Sequence, residues 1–446
     1  MGRDFVFYRD TKKQMPVIAR GEGIYLWDTE GKRYIDGCSG ALVSSIGHGR
    51  TEISDAIREA ASQVAFVHLS QFTNKYLQHL SAEIASITPG DLNWCYFVSG
   101  GSEAADTAIK MARQYHLERG QPSRYKVIGR WQAFHGNTIG AMSVGGHTAR
   151  RKMYAPLLLD FPHAVPGYCY RCPYGRAYPE CSLACADDVE RIILQEGPEN
   201  IAAFMCEIVS GASAPGVHPP AGYYEKIREV CDAHGVLFIA DEVMTGFGRT
   251  GEYFACQHYD AIPDIIMCAK GMSAGYAPIG AVLASERVYQ AFHQGSGRFV
   301  HGYTYGGNPV SAAASLRVIT FLKEHGVLEN VKSTGRYLKD RLSALAGEHR
   351  IIGDVRGLGL MQGIELVACK ETREPFPQRL EVTNRLKAVA FQKGLLVYPG
   401  AGCVNGRDGD AVLIAPPLTI TVKEVDELLD VFEDALSLVE SELLNS

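Results

Sequence analysis

The sequence predicts an α/β protein: a mostly parallel, doubly wound central sheet with a smaller α+β domain assembled from both chain ends. Three observations carry this prediction. Short, continuous apolar runs alternate with amphipathic helical stretches through the middle of the chain, and such runs mark strands covered on both faces. The runs recur at separations of roughly 30 residues, which suits strand–helix–strand units. Both flanks change character to alternating segments and turn signals.

Residues 20–48 hold "GIYLWDTEGKRYIDG", two alternating segments around the turn signal "DTEGK", which predicts a hairpin. "WCYFV" at Trp94–Val98 precedes the helical "SEAADTAIKMARQYHLERG". Strands are then expected at "YKVIG" from Tyr125, "IAAFMC" (201–206), "VLFIA" (236–240), "DIIMCA" (264–269) and "IGAVLA" (279–284). Beyond about residue 325 the pattern reads helix, strand ("LGLMQGIEL"), helix, strand ("GLLVYP"), strand ("AVLIA") and a last amphipathic helix after Thr421. The division expected is 1–65 and 326–446 for the small domain, around a large domain at 66–325.

The 446 residues are 46% hydrophobic and 21% charged, an ordinary globular composition with length for more than one domain. A net charge of −6 argues against a general nucleic-acid binder and offers a membrane no basic face. No apolar run approaches the roughly 20 residues of a membrane helix. The N-terminal "MGRDFVFYRDTKKQMP" lacks a signal-peptide core, and Val6 stands where a myristoylation signal after Gly2 wants Ser or Thr. A cytoplasmic location is expected.

Three of the apolar runs end in charge: Glu207, Asp241 and Lys270. In open parallel sheets, ligands bind at the carboxyl ends of the strands. Asp241 and Lys270 are 29 residues apart, the length of one crossover, so they can face a shared crevice. Taken singly, each could be a turn cap or a solvated charge; together they suggest one ligand that wants both. Pyridoxal phosphate does, because its aldehyde forms a Schiff base with a lysine and its ring nitrogen needs an acid. The stretch "FVSGGSEAADTAIKMAR" offers a phosphate site, a strand and glycine turn opening a helix at Gly101 and Ser102. The glycines of "GLGLMQG" (357–363) have the wrong spacing for a dinucleotide site.

"GGSEAADTAIKMAR", "FHGNTIGA", "ADEVMTGFGRTG", "CAKGMSAGYAPIGAV" and "HGYTYGGNPVSAAA" together resemble the class III (omega) aminotransferases, pyridoxal-phosphate enzymes of fold type I. The resemblance runs from about Gly21 to the C-terminus and keeps the family's motif order. It implies that Lys270 carries the cofactor and moves the proton, and that Asp241 pairs with the ring nitrogen. Val243 and Phe134 would pack on the ring, with Gly101, Ser102, His135 and Glu207 also at the cofactor. Thr304 would join the phosphate from a neighbouring subunit, which implies a homodimer or larger assembly. Glu242 is expected to hold the local turn.

Family members that take glutamate carry an arginine where this chain reads "AVLIAPPLT", and Ile208 replaces the proline that follows their strand-end glutamate. Both departures favour pyruvate as acceptor. Arg407, in "NGRDGD", is a candidate for the substrate carboxylate, or else a solvated loop charge. Leu42, Val43 and Phe72 fall where relatives line the substrate pocket, and they suit an uncharged amine or long omega-amino acid. The same scaffold serves decarboxylating transaminases, amino-group mutases or racemases, and a biotin-pathway transaminase that uses S-adenosylmethionine as donor. A binding module without turnover is the reading from another class.

Twelve cysteines are scattered through apolar segments, apart from "YCYRCPYGRAYPECSLAC". There Cys169, Cys172, Cys181 and Cys185 have spacings that allow a structural zinc, reduced thiols pinning a loop, or disulfides. No catalytic metal is implied.

Overall fold

The computed structural model describes residues 5–444; Gly2 and the rest of the first four residues lie outside them, as do the last two. The central sheet has seven strands, in the order Trp94–Val98, Gly280–Ala284, Ile265–Cys268, Leu237–Asp241, Ile201–Glu207, Lys126–Arg130 and His163–Ala164. Only Gly280–Ala284 runs antiparallel to its neighbours; the other pairings are parallel. The four strands from Gly280–Ala284 to Ile201–Glu207 are buried at every residue, which is why their sequences show no alternation.

Register decides where the charges fall. Glu207 pairs directly with Asp241, and Asp241 pairs with Met267, three residues before Lys270. Adjacent parallel strands therefore end together and deliver all three ionisable groups to one edge.

The two chain ends share a sheet. Tyr25–Asp28 and Arg33–Asp36 form the expected hairpin, extended by Ile18–Glu22, and Leu395–Leu396 lies parallel beside Arg33–Asp36. A second four-stranded antiparallel sheet joins Ile352–Leu358, Met361–Leu366, Asp410–Ile414 and Tyr398–Ala401.

Two expectations change here. "LGLMQGIEL" is not one strand but the tight turn of a hairpin, with Gly359 at φ +54. A Cβ on Gly359 would sit 2.7 Å from Arg249 O, so the close approach of another segment fixes the reversal. "GLLVYP" also divides, with Leu395–Leu396 in one sheet and Tyr398–Ala401 in the other; Val397, 4% exposed, is the crossing point. Among the described residues, no helix is long and apolar enough to cross a membrane.

Candidate active site

The three strand ends meet in a cavity of about 150 Å³. Glu207, Asp241 and Lys270 line it with Gly101, Ser102, Phe134, His135 and Val243. Gly136, Asn137, Val209 and Met244 complete the wall; Gly136 closes the "FHG" motif and Asn137 follows it, and their lining role is not visible in sequence spacing.

Asp241 is 4% exposed and held on both oxygens: Oδ2 lies 2.7 Å from His135 Nδ1, and Oδ1 accepts from Val243 N–H at 2.9 Å. These contacts offset the cost of burying the carboxylate and fix its direction. The other ring nitrogen of His135, Nε2, is buried without a partner. The Glu207 carboxylate accepts from Phe134 N–H at 3.1 Å and Gly211 N–H at 3.0 Å. Burial, reinforced by the charge of Asp241, raises its pKa above the ordinary carboxylate range.

Glu242 points elsewhere. It is fully buried, accepts from Ala255 N–H at 2.9 Å and Cys256 N–H at 2.7 Å, and takes the Thr245 hydroxyl. Burial lifts it to about 6. Its contacts tie the turn after Asp241 to residues 255–256 and leave no role at the cavity.

Lys270 opens a short 3₁₀ turn, Lys270–Met272, with φ +41, a left-handed conformation that costs a side-chain-bearing residue energy. It keeps some accessible surface because it faces the cavity. The surrounding protein nonetheless pulls the amine down to about 8 by desolvation, against the opposing charges of Asp241 and Glu207. About a tenth of the amine is then neutral at pH 7, and the neutral form grows as pH rises through 8. The rate at which cofactor-free protein takes up pyridoxal 5'-phosphate should therefore rise with a midpoint near pH 8. A midpoint near 10.5, the ordinary lysine value, would show that burial does not tune this amine.

The helix Gly101–Glu118 begins without a side-chain cap at Gly100. Its first helical bond runs from Ala104 N–H to Gly100 O, so the amides of Gly101 and Ser102 remain for a ligand. The surroundings are tight: a Cβ on Gly101 would lie 2.9 Å from Val243 Cγ1, and one on Gly136 2.6 Å from Ser102 Oγ. Only glycine allows so close an approach here, and it leaves the backbone amides accessible to a ligand.

The family model described as "Aminotransferase class-III" matches residues 7–436. The chain is a class III aminotransferase. It is 41% identical over 428 residues to the uncharacterized aminotransferase YodT of Bacillus subtilis, covering 96% of each chain. It is 37% identical over 425 residues to the putrescine–pyruvate aminotransferase of Pseudomonas aeruginosa, covering 94% of this chain and 90% of that one. Among solved structures, the (S)-enantioselective omega-transaminase from Thermomicrobium roseum superposes with a TM-score of 0.89 at 39% identity, covering 96% and 93%. Enzymes of this family depend on pyridoxal 5'-phosphate, and the uncapped helix, the glycine cradle and the buried amine and acid fit that group.

The aminotransferase places the remaining expected residues outside the cavity. Leu42 is core, 1% exposed, with φ +59. Val43 packs toward the segment after Lys270, where a Cβ on Gly275 would meet its Cγ1 at 3.1 Å. Phe72 is 64% exposed. Thr304 lines a separate cleft with His68, Tyr96 and Tyr303. Arg407 is exposed in the loop 402–409, where its amide bonds to Asn405 Oδ1.

Cys169, Cys172, Cys181 and Cys185 are all unpaired thiols. Burial, with its three sister thiols adding to it, lifts Cys185 to about 11. Among the described residues, no three His, Cys, Asp or Glu side chains converge on a metal position. The loop is anchored instead by Arg171 Nε on Glu365 at 2.5 Å and by the Tyr168 hydroxyl on the same carboxylate.

Proposed function

We propose that this aminotransferase moves an amino group from an amine or omega-amino acid to a keto acid, with pyruvate as the acceptor, in two half-reactions. The observation that carries this reading is the buried convergence of Lys270 and Asp241 on one cavity beside an uncapped helix start. Bound pyridoxal phosphate supplies a carbonyl for the incoming amine and a ring that accepts electrons.

The chain's residues do the rest. Lys270 would hold the cofactor at Nζ and then act as the base that carries the substrate proton. Asp241 would keep a proton on the ring nitrogen, with its direction set by Val243 N–H and His135. Gly101 and Ser102 would hold the phosphate, Phe134 and Val243 would pack on the ring, and Glu207 would fix the Phe134 amide. Thr304, in its own cleft, would complete the phosphate site of a second subunit in a homodimer.

Pyruvate is favoured because Val412, Leu413 and Ile414 sit in the fully buried strand Asp410–Ile414 and bring no arginine to Glu207. The Pseudomonas relative, named a putrescine–pyruvate aminotransferase, agrees in donor class and acceptor. Leu42, Val43 and Phe72 would shape the donor side, and Arg407 would close on a carboxylate from its loop.

A donor panel run against pyruvate, 2-oxoglutarate and glyoxylate tests the reading. Amines with pyruvate should exceed the same amines with 2-oxoglutarate by about tenfold or more in kcat/KM. A preference for 2-oxoglutarate would overturn the acceptor. Release of carbon dioxide, or isomerisation of an amino acid without a keto acid, would replace transamination by the other reactions of this scaffold.

A further inference from the structure

One cation that contacts two cavity-lining residues has no part in the steps above. Arg150 lies on the short helix Thr148–Arg151, half-buried, with its guanidinium carbon 4.3 Å from the centroid of the Phe134 ring. Its Nη1 is 3.5 Å from Asn137 Oδ1. Phe134 and Asn137 both line the cavity. Its neighbour Arg151 is occupied differently, donating to the carbonyls of Met142, Ser143 and Gly145 at 2.7, 2.9 and 2.6 Å.

The contacts of Arg150 hold the guanidinium without neutralising it. Neither partner is a carboxylate, and no ion pair to Arg150 occurs among the described residues. A guanidinium stacked on an aromatic ring keeps its in-plane N–H groups for a carboxylate fork. Stacking also reduces the side-chain freedom lost on binding.

The loop that carries Arg407 reaches the same helix. A Cβ on Gly406 would sit 2.2 Å from Thr148 Oγ1, and Gln132 Nε2 donates to Cys403 O at 2.7 Å. Arg407 itself is exposed, so of the two arginines only Arg150 is already fixed against cavity-lining side chains.

We propose that Arg150, stacked on Phe134 and bonded to Asn137, is the anchored carboxylate-binding residue of the substrate side. It would take the carboxylate of an amino-acid donor or keto-acid acceptor, a specificity role that rests on the transaminase reading above.

The test compares ligands in which a methyl group replaces the carboxylate: β-alanine against propylamine as donors, and pyruvate against acetone as acceptors, each in a single half-reaction. Arg150→Ala and Arg150→Gln should lower kcat/KM for the acids about 10- to 100-fold, as expected for one charged hydrogen-bonded contact, and leave the neutral partners near wild type. Arg150→Lys should recover part of the loss. Propionate, which cannot react, should lose affinity for the holoenzyme by a similar factor in calorimetry.

Equal losses on acids and neutral compounds would make Arg150 a prop for Phe134 and overturn the proposal. So would unchanged kinetics, or a split that appears with Arg407→Ala and not with Arg150→Ala. If wild-type protein transfers no amino group to any acceptor, the functional reading fails, while the propionate titration still reports on Arg150.

Discussion

Lys270→Ala should leave turnover at least about 10,000-fold below wild type, because in the proposed mechanism one side chain holds the cofactor and moves the proton. The fold should survive. Lys270 starts a short turn whose side chain faces the cavity, and its amine is a buried cation whose desolvation already costs the native state. Alanine removes that cost and keeps the strained φ of +41, so the thermal midpoint of cofactor-free protein should shift little. Gly101 and Ser102 remain in the variant, so cofactor should still bind, reversibly, and wash out on dialysis. Steady-state kinetics, cofactor retention and a melting curve separate these effects. Wild-type turnover in the variant would remove Lys270 from the mechanism; a collapsed melting curve would mean that its role is structural.

Much of this site is legible in sequence, for a physical reason. Strands covered on both faces must be apolar throughout, so a charged residue that follows such a run marks the strand end. Glu207, Asp241 and Lys270 stand out that way, and parallel pairing of adjacent strands then brings them level. The start of the helix at Gly101 is equally local, a strand and glycine turn followed by a helical period.

What sequence conceals depends on contacts between distant segments. The reversal at Gly359 is set by the Arg249 backbone, more than a hundred residues earlier, so the hairpin reads as one strand. Val397 is an ordinary apolar residue until two sheets claim its neighbours. Arg150 sits on a four-residue helix with no buried residue, hence no periodicity, and its place over Phe134 comes from the chain folding back. Thr304 lines a cleft apart from the cavity of its own chain, so spacing along one chain does not tie it to that cavity.

Asp241→Asn should cost about a thousandfold or more in kcat while leaving the protein folded. The substitution keeps shape and removes charge. Val243 N–H must still be accepted, at 2.9 Å, so the amide oxygen would take the Oδ1 position and the amide nitrogen would face His135. His135 Nδ1 would then have to accept rather than donate, moving its proton to Nε2, a buried atom without a partner. That tautomer change is a readout separate from activity and can be followed by nitrogen NMR of His135. Two losses act together on the chemistry. In the proposed mechanism the ring nitrogen would no longer have an anion beside it to hold its proton, and Lys270 would lose the strongest of the charges that keep its pKa from falling below about 8. Cofactor uptake by the variant should therefore have its pH midpoint below that of wild type while turnover falls. If turnover falls and the midpoint stays at wild type, Asp241 acts on the ring alone; if turnover is unchanged, the pairing of acid and ring nitrogen is wrong.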